Sequence, residues 1–89
     1  MPWQVEYAPK AVRQFKKITP RQAKVLISWI EKNLIGRKDP RLLGKPLEGS
    51  LKGYWRYRVG EYRLVVKLED ERLVIIVVTL GHRKDVYRR

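Results

Sequence analysis

The sequence predicts an α+β fold of order β-α-α-β-β-β, with a helical hairpin packed on one face of a small, mainly antiparallel sheet and a short C-terminal tail. Three observations predict it. Apolar residues alternate at the N-terminus, recur at helical spacing over the next segments, and return to strand patterning in successive runs from Tyr54 onward.

Trp3, Val5 and Tyr7 alternate with Gln4 and Glu6, the signature of a short strand with one buried face. Pro9 suits the first turn of a helix, where its missing N–H costs nothing. Val12, Phe15 and Ile18 then point inward, and Lys10, Arg13, Lys16 and Lys17 outward. Thr19-Pro20 restarts the helix, because threonine caps an N-terminus and proline fits just after it. The second helix places Ala23, Leu26, Ile27, Ile30 and Leu34 on one stripe, and Gly36 is its expected stop. Gly36 to Gly53, rich in glycine, proline and charge, is expected to loop back to the sheet. Tyr54 to Val59, Tyr62 to Leu68 and Leu73 to Leu80 form an antiparallel meander. The last of these is apolar on both faces and is expected to be central.

At 89 residues the chain is expected to form a single domain spanning 1–89, with one shared core. Lys and Arg number 21 against 9 acidic residues, a net charge of +12 with pI near 10.4. Such a field attracts polyanions. No apolar run approaches a membrane span, so no membrane partner is expected, and no signal peptide precedes Trp3, so the expected location is the cytoplasm. There is no cysteine and His82 is the only histidine, which gives no basis for a disulfide, a cofactor or a metal site.

The informative stretch is Tyr54 to Leu64. Alternation sets Trp55, Tyr57 and Val59 on one face and Tyr54, Arg56 and Arg58 on the other. Gly60-Glu61 can form a two-residue hairpin turn, which pairs Val59 with Tyr62 and so Arg58 with Arg63. Like charges in that position destabilise a sheet by about 0.2–1 kcal/mol. A bridging phosphate reverses the sign, because guanidinium groups hold its oxygens in charge-assisted pairs. The residues alone equally admit a solvated basic face. In the tail, Gly81 to Arg89, pairing of the last two strands through a turn near Asp70 would set His82 and Arg83 beside the arginines, with Tyr87 folded over them. A terminal tyrosine among charges is also commonly a packing residue, and a lone histidine a surface donor.

Tyr57 to Leu64, the hairpin after it, and Gly81 to Tyr87 together resemble the RelE/ParE toxin superfamily, as does the loop Gly44 to Gly49. The likeness runs from the N-terminal strand to the tail. It implies a RelE-like mRNA interferase: a ribosome-dependent endoribonuclease, held inactive by an acidic RelB-like antitoxin, that contacts DNA only through the antitoxin complex. The resemblance carries the catalytic roles onto Arg56, Arg58, Arg63, Arg83 and Tyr87. Lys52, Tyr54, Lys84, Arg88 and Arg89 flank these positions and are expected to bind RNA or the ribosome. The strand pair Arg56 and Arg58 is often lysine in the family, so these residues suit phosphate binding better than a general-base role.

The chemistry matches that inventory. RNA supplies its own nucleophile, the 2′-hydroxyl, which attacks phosphorus and leaves a 2′,3′-cyclic phosphate. The protein must take one proton, give one to the 5′-oxygen and stabilise the added negative charge. Tyr87 is the candidate base, Arg83 serves the leaving group, and Arg63 the phosphate. His82 is a substitute of second rank.

Two other functions fit the same residues. A ParE-like member would inhibit DNA gyrase and cleave no RNA. A non-catalytic nucleic-acid-binding module would stack bases on Trp3, Trp55, Tyr54 or Tyr62, although Trp3 and Trp55 fall at core positions.

Overall fold

A computed structural model describes residues 3–35 and 39–82. The chain runs β1 (Gln4–Tyr7), α1 (Pro9–Phe15), α2 (Pro20–Asn33), β2 (Lys45–Pro46), β3 (Tyr54–Val59), β4 (Tyr62–Glu69) and β5 (Val74–His82), with single-turn 3-10 helices at Pro40–Leu43 and Gly49–Leu51. The strands make one sheet in the order β1-β5-β4-β3-β2. β1 lies parallel to β5, and the other pairings are antiparallel.

Local chemistry accounts for the breaks. Pro9 opens α1 without loss of a hydrogen bond. Thr19 opens α2 through a full capping box: its Oγ1 accepts from the Gln22 backbone N–H at 3.1 Å, and Gln22 Oε1 accepts from the Thr19 N–H at 3.2 Å. Gly60 has φ 60°, which suits the first central position of a two-residue hairpin. The expected register follows: Val59 pairs with Tyr62, and Arg58 with Arg63.

The core lies between the helices and one sheet face. Leu26 and Ile30 of α2 and its C-cap Leu34 meet Tyr57, Val59, Leu64, Val66, Ile75, Val77 and Leu80, with Trp3 and Ala11 closing the N-terminal side. Tyr57 is fully buried, and its hydroxyl donates to the Pro40 carbonyl at 2.7 Å. Arg41, next along, makes a two-pronged bond to Asp70 at 3.0 and 2.8 Å and stands 5.6 Å over the Trp55 ring. These contacts tie the loop before β2 to β3 and to the β4–β5 turn. Among the described residues no helix is long and apolar enough to cross a membrane.

The structure departs from the sequence reading at several points. Ala11, not Val12, is the buried residue of α1, and Val12 is 39% exposed. The helix ends at Phe15, and Phe15 and Ile18 pack against the core as expected, so Val12 alone departs from the stripe. The expected loop contains the edge strand β2, kept to two residues beside Pro46, which lacks a ladder donor. β5 is interior but not the middle strand, because the parallel partner β1 lies outside it and β4 takes the centre. Leu73 precedes β5 in a left-handed conformation, φ 55°, closing the turn from Asp70. Gly36, the expected helix stop, lies outside the described residues.

Candidate nucleic-acid site on the sheet face away from the helices

Strand alternation divides β3 and β4 cleanly. Trp55, Tyr57, Val59, Tyr62, Leu64 and Val66 face the helices, which leaves Tyr54, Arg56, Arg58, Arg63, Val65 and Lys67 on the opposite face. Arg58 and Arg63 are direct cross-strand partners. Arg56 lies beside them, between Val65 on β4 and Lys45 on β2. Tyr54 is half-buried and pairs with Lys67. Lys52 is exposed in the turn that leads into β3.

Two cations were missed by sequence reasoning. Lys45 is exposed opposite Arg56, and Lys67 is exposed opposite Tyr54. Lys67 was recoverable, because the hairpin register that pairs Arg58 with Arg63 also pairs Tyr54 with Lys67. Lys45 carried no such signal, since a two-residue strand has no alternation to read.

The paired arginines are unequal. Arg58 is exposed, whereas Arg63 is only 1% exposed. A guanidinium withdrawn this far from water is costly unless its charge is met. Val65 beside it is 4% exposed and stands apart from the helix-side core. The face therefore presents cations at its surface and holds one at depth.

The end of β5 departs from expectation. Val66 pairs with Val77 but Val65 pairs with Thr79, so β5 has one extra residue, Val78, at a bulge. Before the bulge, even positions of β5 share the face of Arg63, as expected. Beyond it the parity reverses: Gly81 pairs with Arg63, and His82 pairs with Tyr62. His82 consequently lies on the helix side, its ring edge-to-face with Tyr62 at 5.8 Å and its Nε2 3.4 Å from Glu61 Oε1. It does not join the arginines. Arg83, Lys84, Tyr87, Arg88 and Arg89 lie outside the described residues.

Gln14 of α1 fixes this strand end from the side. Its Oε1 accepts from Thr79 Oγ1 at 2.9 Å and from the Leu80 N–H at 2.8 Å. Among the described residues no group of three or more His, Asp or Glu side chains could hold a metal ion.

A sequence model of the family described as the ParE toxin of the type II toxin–antitoxin system parDE matches residues 5–87. Toxin RelG of Mycobacterium tuberculosis is 33% identical over 89 residues, covering 100% of both chains. The toxin–antitoxin complex RelBE2 from the same organism contains a chain that superposes with a TM-score of 0.84 at 29% identity, over 93% of each chain. The isolated Escherichia coli RelE toxin gives a TM-score of 0.70 at 21% identity, over 90% of this chain and 83% of that one, a likeness of fold alone. The fold and these matches define a toxin of a type II toxin–antitoxin system. The chain belongs to the RelE/ParE toxin superfamily and is of the RelE type.

Proposed function

We propose that this toxin is a ribosome-dependent endoribonuclease that cleaves mRNA without a metal. The observation that carries the reading is the cross-strand pair Arg58 and Arg63, with Arg56 on the same face. Guanidinium groups gathered on one face can hold phosphate oxygens in charge-assisted pairs. In the proposed reaction the substrate's 2′-hydroxyl attacks the adjacent phosphorus, and the bond to the 5′-oxygen breaks to leave a cyclic phosphate. Arg63 and Arg58 bind the non-bridging oxygens as charge builds on them. Tyr87 takes the 2′-proton, the 5′-oxygen departs beside Arg83 and takes up a proton from solvent, and Arg56 with Lys45 steers the flanking phosphate. The ribosome would hold the strand in reach, supplying orientation the small protein lacks.

An acidic antitoxin is the proposed cellular partner, supported by the RelBE2 complex among the structural relatives. Its negative charge suits a chain of net +12.

One observation favours a second reading, inhibition of DNA gyrase: the matching family model is that of the ParE toxins. Induced expression followed by mapping of mRNA 5′ ends, with and without translation, separates the two. New 5′ ends that require translation and vanish in Arg83→Ala and Tyr87→Ala support the nuclease. Their absence, together with trapped gyrase–DNA complexes, would reject it.

A further inference from the structure

The helical hairpin carries charge that the sheet face does not explain. Between Glu6 and Glu31 the chain has no acidic residue and six basic ones: Lys10, Arg13, Lys16, Lys17, Arg21 and Lys24. All six are exposed, and among the described residues none is paired with an acid. They belong to the layer on the far side of the sheet from Arg58 and Arg63. An unneutralised run of this kind is held at the expense of mutual repulsion.

Two of these cations border neighbouring clefts. One cleft, about 330 Å³, lies between the start of α2 and the β3–β4 turn, with Arg21 at its edge and Val25, Val59 and Tyr62 among its walls. The other, about 240 Å³, lies against α1, with Lys17 at its edge and Ile18, Leu80 and Tyr62 among its walls. Tyr62 and His82 line both, so their edge-to-face ring pair forms the ridge between them. Val25 remains 58% exposed at the mouth of the larger cleft.

We infer that this end of the helical hairpin is a second RNA site, which takes single-stranded RNA with a base on either side of the Tyr62–His82 ridge and its phosphates on Lys17 and Arg21. A ring pair with a cation at either cleft suits stacked bases and their phosphates, and the one carboxylate in the larger cleft, Glu61, faces His82. An acidic peptide would satisfy the cations but gains little from a shared ring ridge, and a duplex would not offer its bases to the clefts. The inference is independent of cleavage, because it concerns the opposite side of the sheet from the arginines.

The test uses the full chain and a short 2′-O-methyl oligoribonucleotide carrying 4-thiouridine, which cannot be cleaved by 2′-hydroxyl attack. Photocrosslinks should map to peptides containing Lys17 to Val25 and Val59 to Tyr62. Lys17→Gln combined with Arg21→Gln should weaken binding about tenfold at low salt and lower the slope of log affinity against log salt by about 0.7 per side chain. Tyr62→Phe should bind normally, and Tyr62→Leu about tenfold more weakly. Should the leucine variant not fold, the crosslink map and the double variant decide. Crosslinks confined to the arginine face, an unchanged salt slope in the double variant, or displacement by polyglutamate as efficient as by competitor RNA would each overturn the site. Arg58→Ala should leave these crosslinks in place even if it abolishes cleavage, so the two readings can fail separately.

Discussion

Arg58 and Arg63 stand directly opposite one another across the β3–β4 ladder, the first exposed and the second sealed to 1% exposure. Their repulsion gives a direct assay for anion binding. At equal ionic strength, phosphate in place of chloride should raise the melting temperature of the wild type, because a ligand bound only by the folded state stabilises it. Arg58→Gln should lose most of that rise. Arg58→Ala should also cut mRNA cleavage by about 10²-fold, the usual loss when one charge-stabilising donor is removed. A phosphate effect of equal size in both proteins would argue against the pair as an oxyanion site.

Tyr57 makes high pH destabilising. Burial, the largest cause, pushes its hydroxyl up from 10.0 to about 12, with Asp39 adding to the rise and Arg41 opposing it. The folded state thus keeps the proton over a range in which the unfolded chain has lost it. Stability is fully present below pH 10 and falls as the pH rises from 10 to 12, by about 1.4 kcal/mol per pH unit. Urea titrations of wild type and Tyr57→Phe at pH 9 and pH 11 measure the difference. At pH 9 the phenylalanine variant should be weaker by about 1–3 kcal/mol, having orphaned the buried Pro40 carbonyl. By pH 11 that gap should narrow.

Gly44 is required for space, not for backbone freedom. A Cβ there would lie 2.8 Å from Tyr57 Cε1 and 3.0 Å from the Arg56 carbonyl oxygen. Gly44→Ala should therefore destabilise the protein by about 1–3 kcal/mol, the range for overpacked cores. The aromatic ring is the main obstacle, so the penalty should shrink in a Tyr57→Leu background. Denaturation of the four proteins in that double-mutant cycle checks the coupling.

The Arg41–Asp70 clasp should contribute little to stability. Its carboxylate is 61% exposed, and exposed pairs are worth less than about 1 kcal/mol. The Arg41 hydrogen bond, the largest cause, holds the Asp70 carboxyl below its ordinary value of 3.8. A depressed carboxyl contributes above its unfolded value, and that contribution disappears as the pH falls through the folded one. Asp70→Asn should lower the melting temperature slightly at neutral pH and low salt. It should match the wild type in strong salt, or at a pH low enough to protonate the folded carboxyl.

The order of elements and the site register were legible because each rests on local chemistry. Thr19-Pro20 marks a helix start, and Gly60-Glu61 fixes a hairpin whose count alone sets Arg58 against Arg63. His82 was misplaced because the bulge at Val78 has no sequence mark: Val77 and Val78 are identical residues in an all-apolar run. Val12 was misassigned because α1 is too short for its stripe to dominate, and packing against β5 selected the small Ala11 instead. β2 left no pattern, since two residues cannot show one. The depth of Arg63 was also hidden, because alternation gives a face and not an exposure.

Val78 also frees the distal part of β5 from the residue count of the strand. Deleting that one valine would leave a regular ladder with the same partners, Thr79 on Val65 and His82 on Tyr62, so the imidazole would keep its side. The loss of a single codon here would thus be absorbed within the bulge, and both sides of the molecule would keep their chemistry.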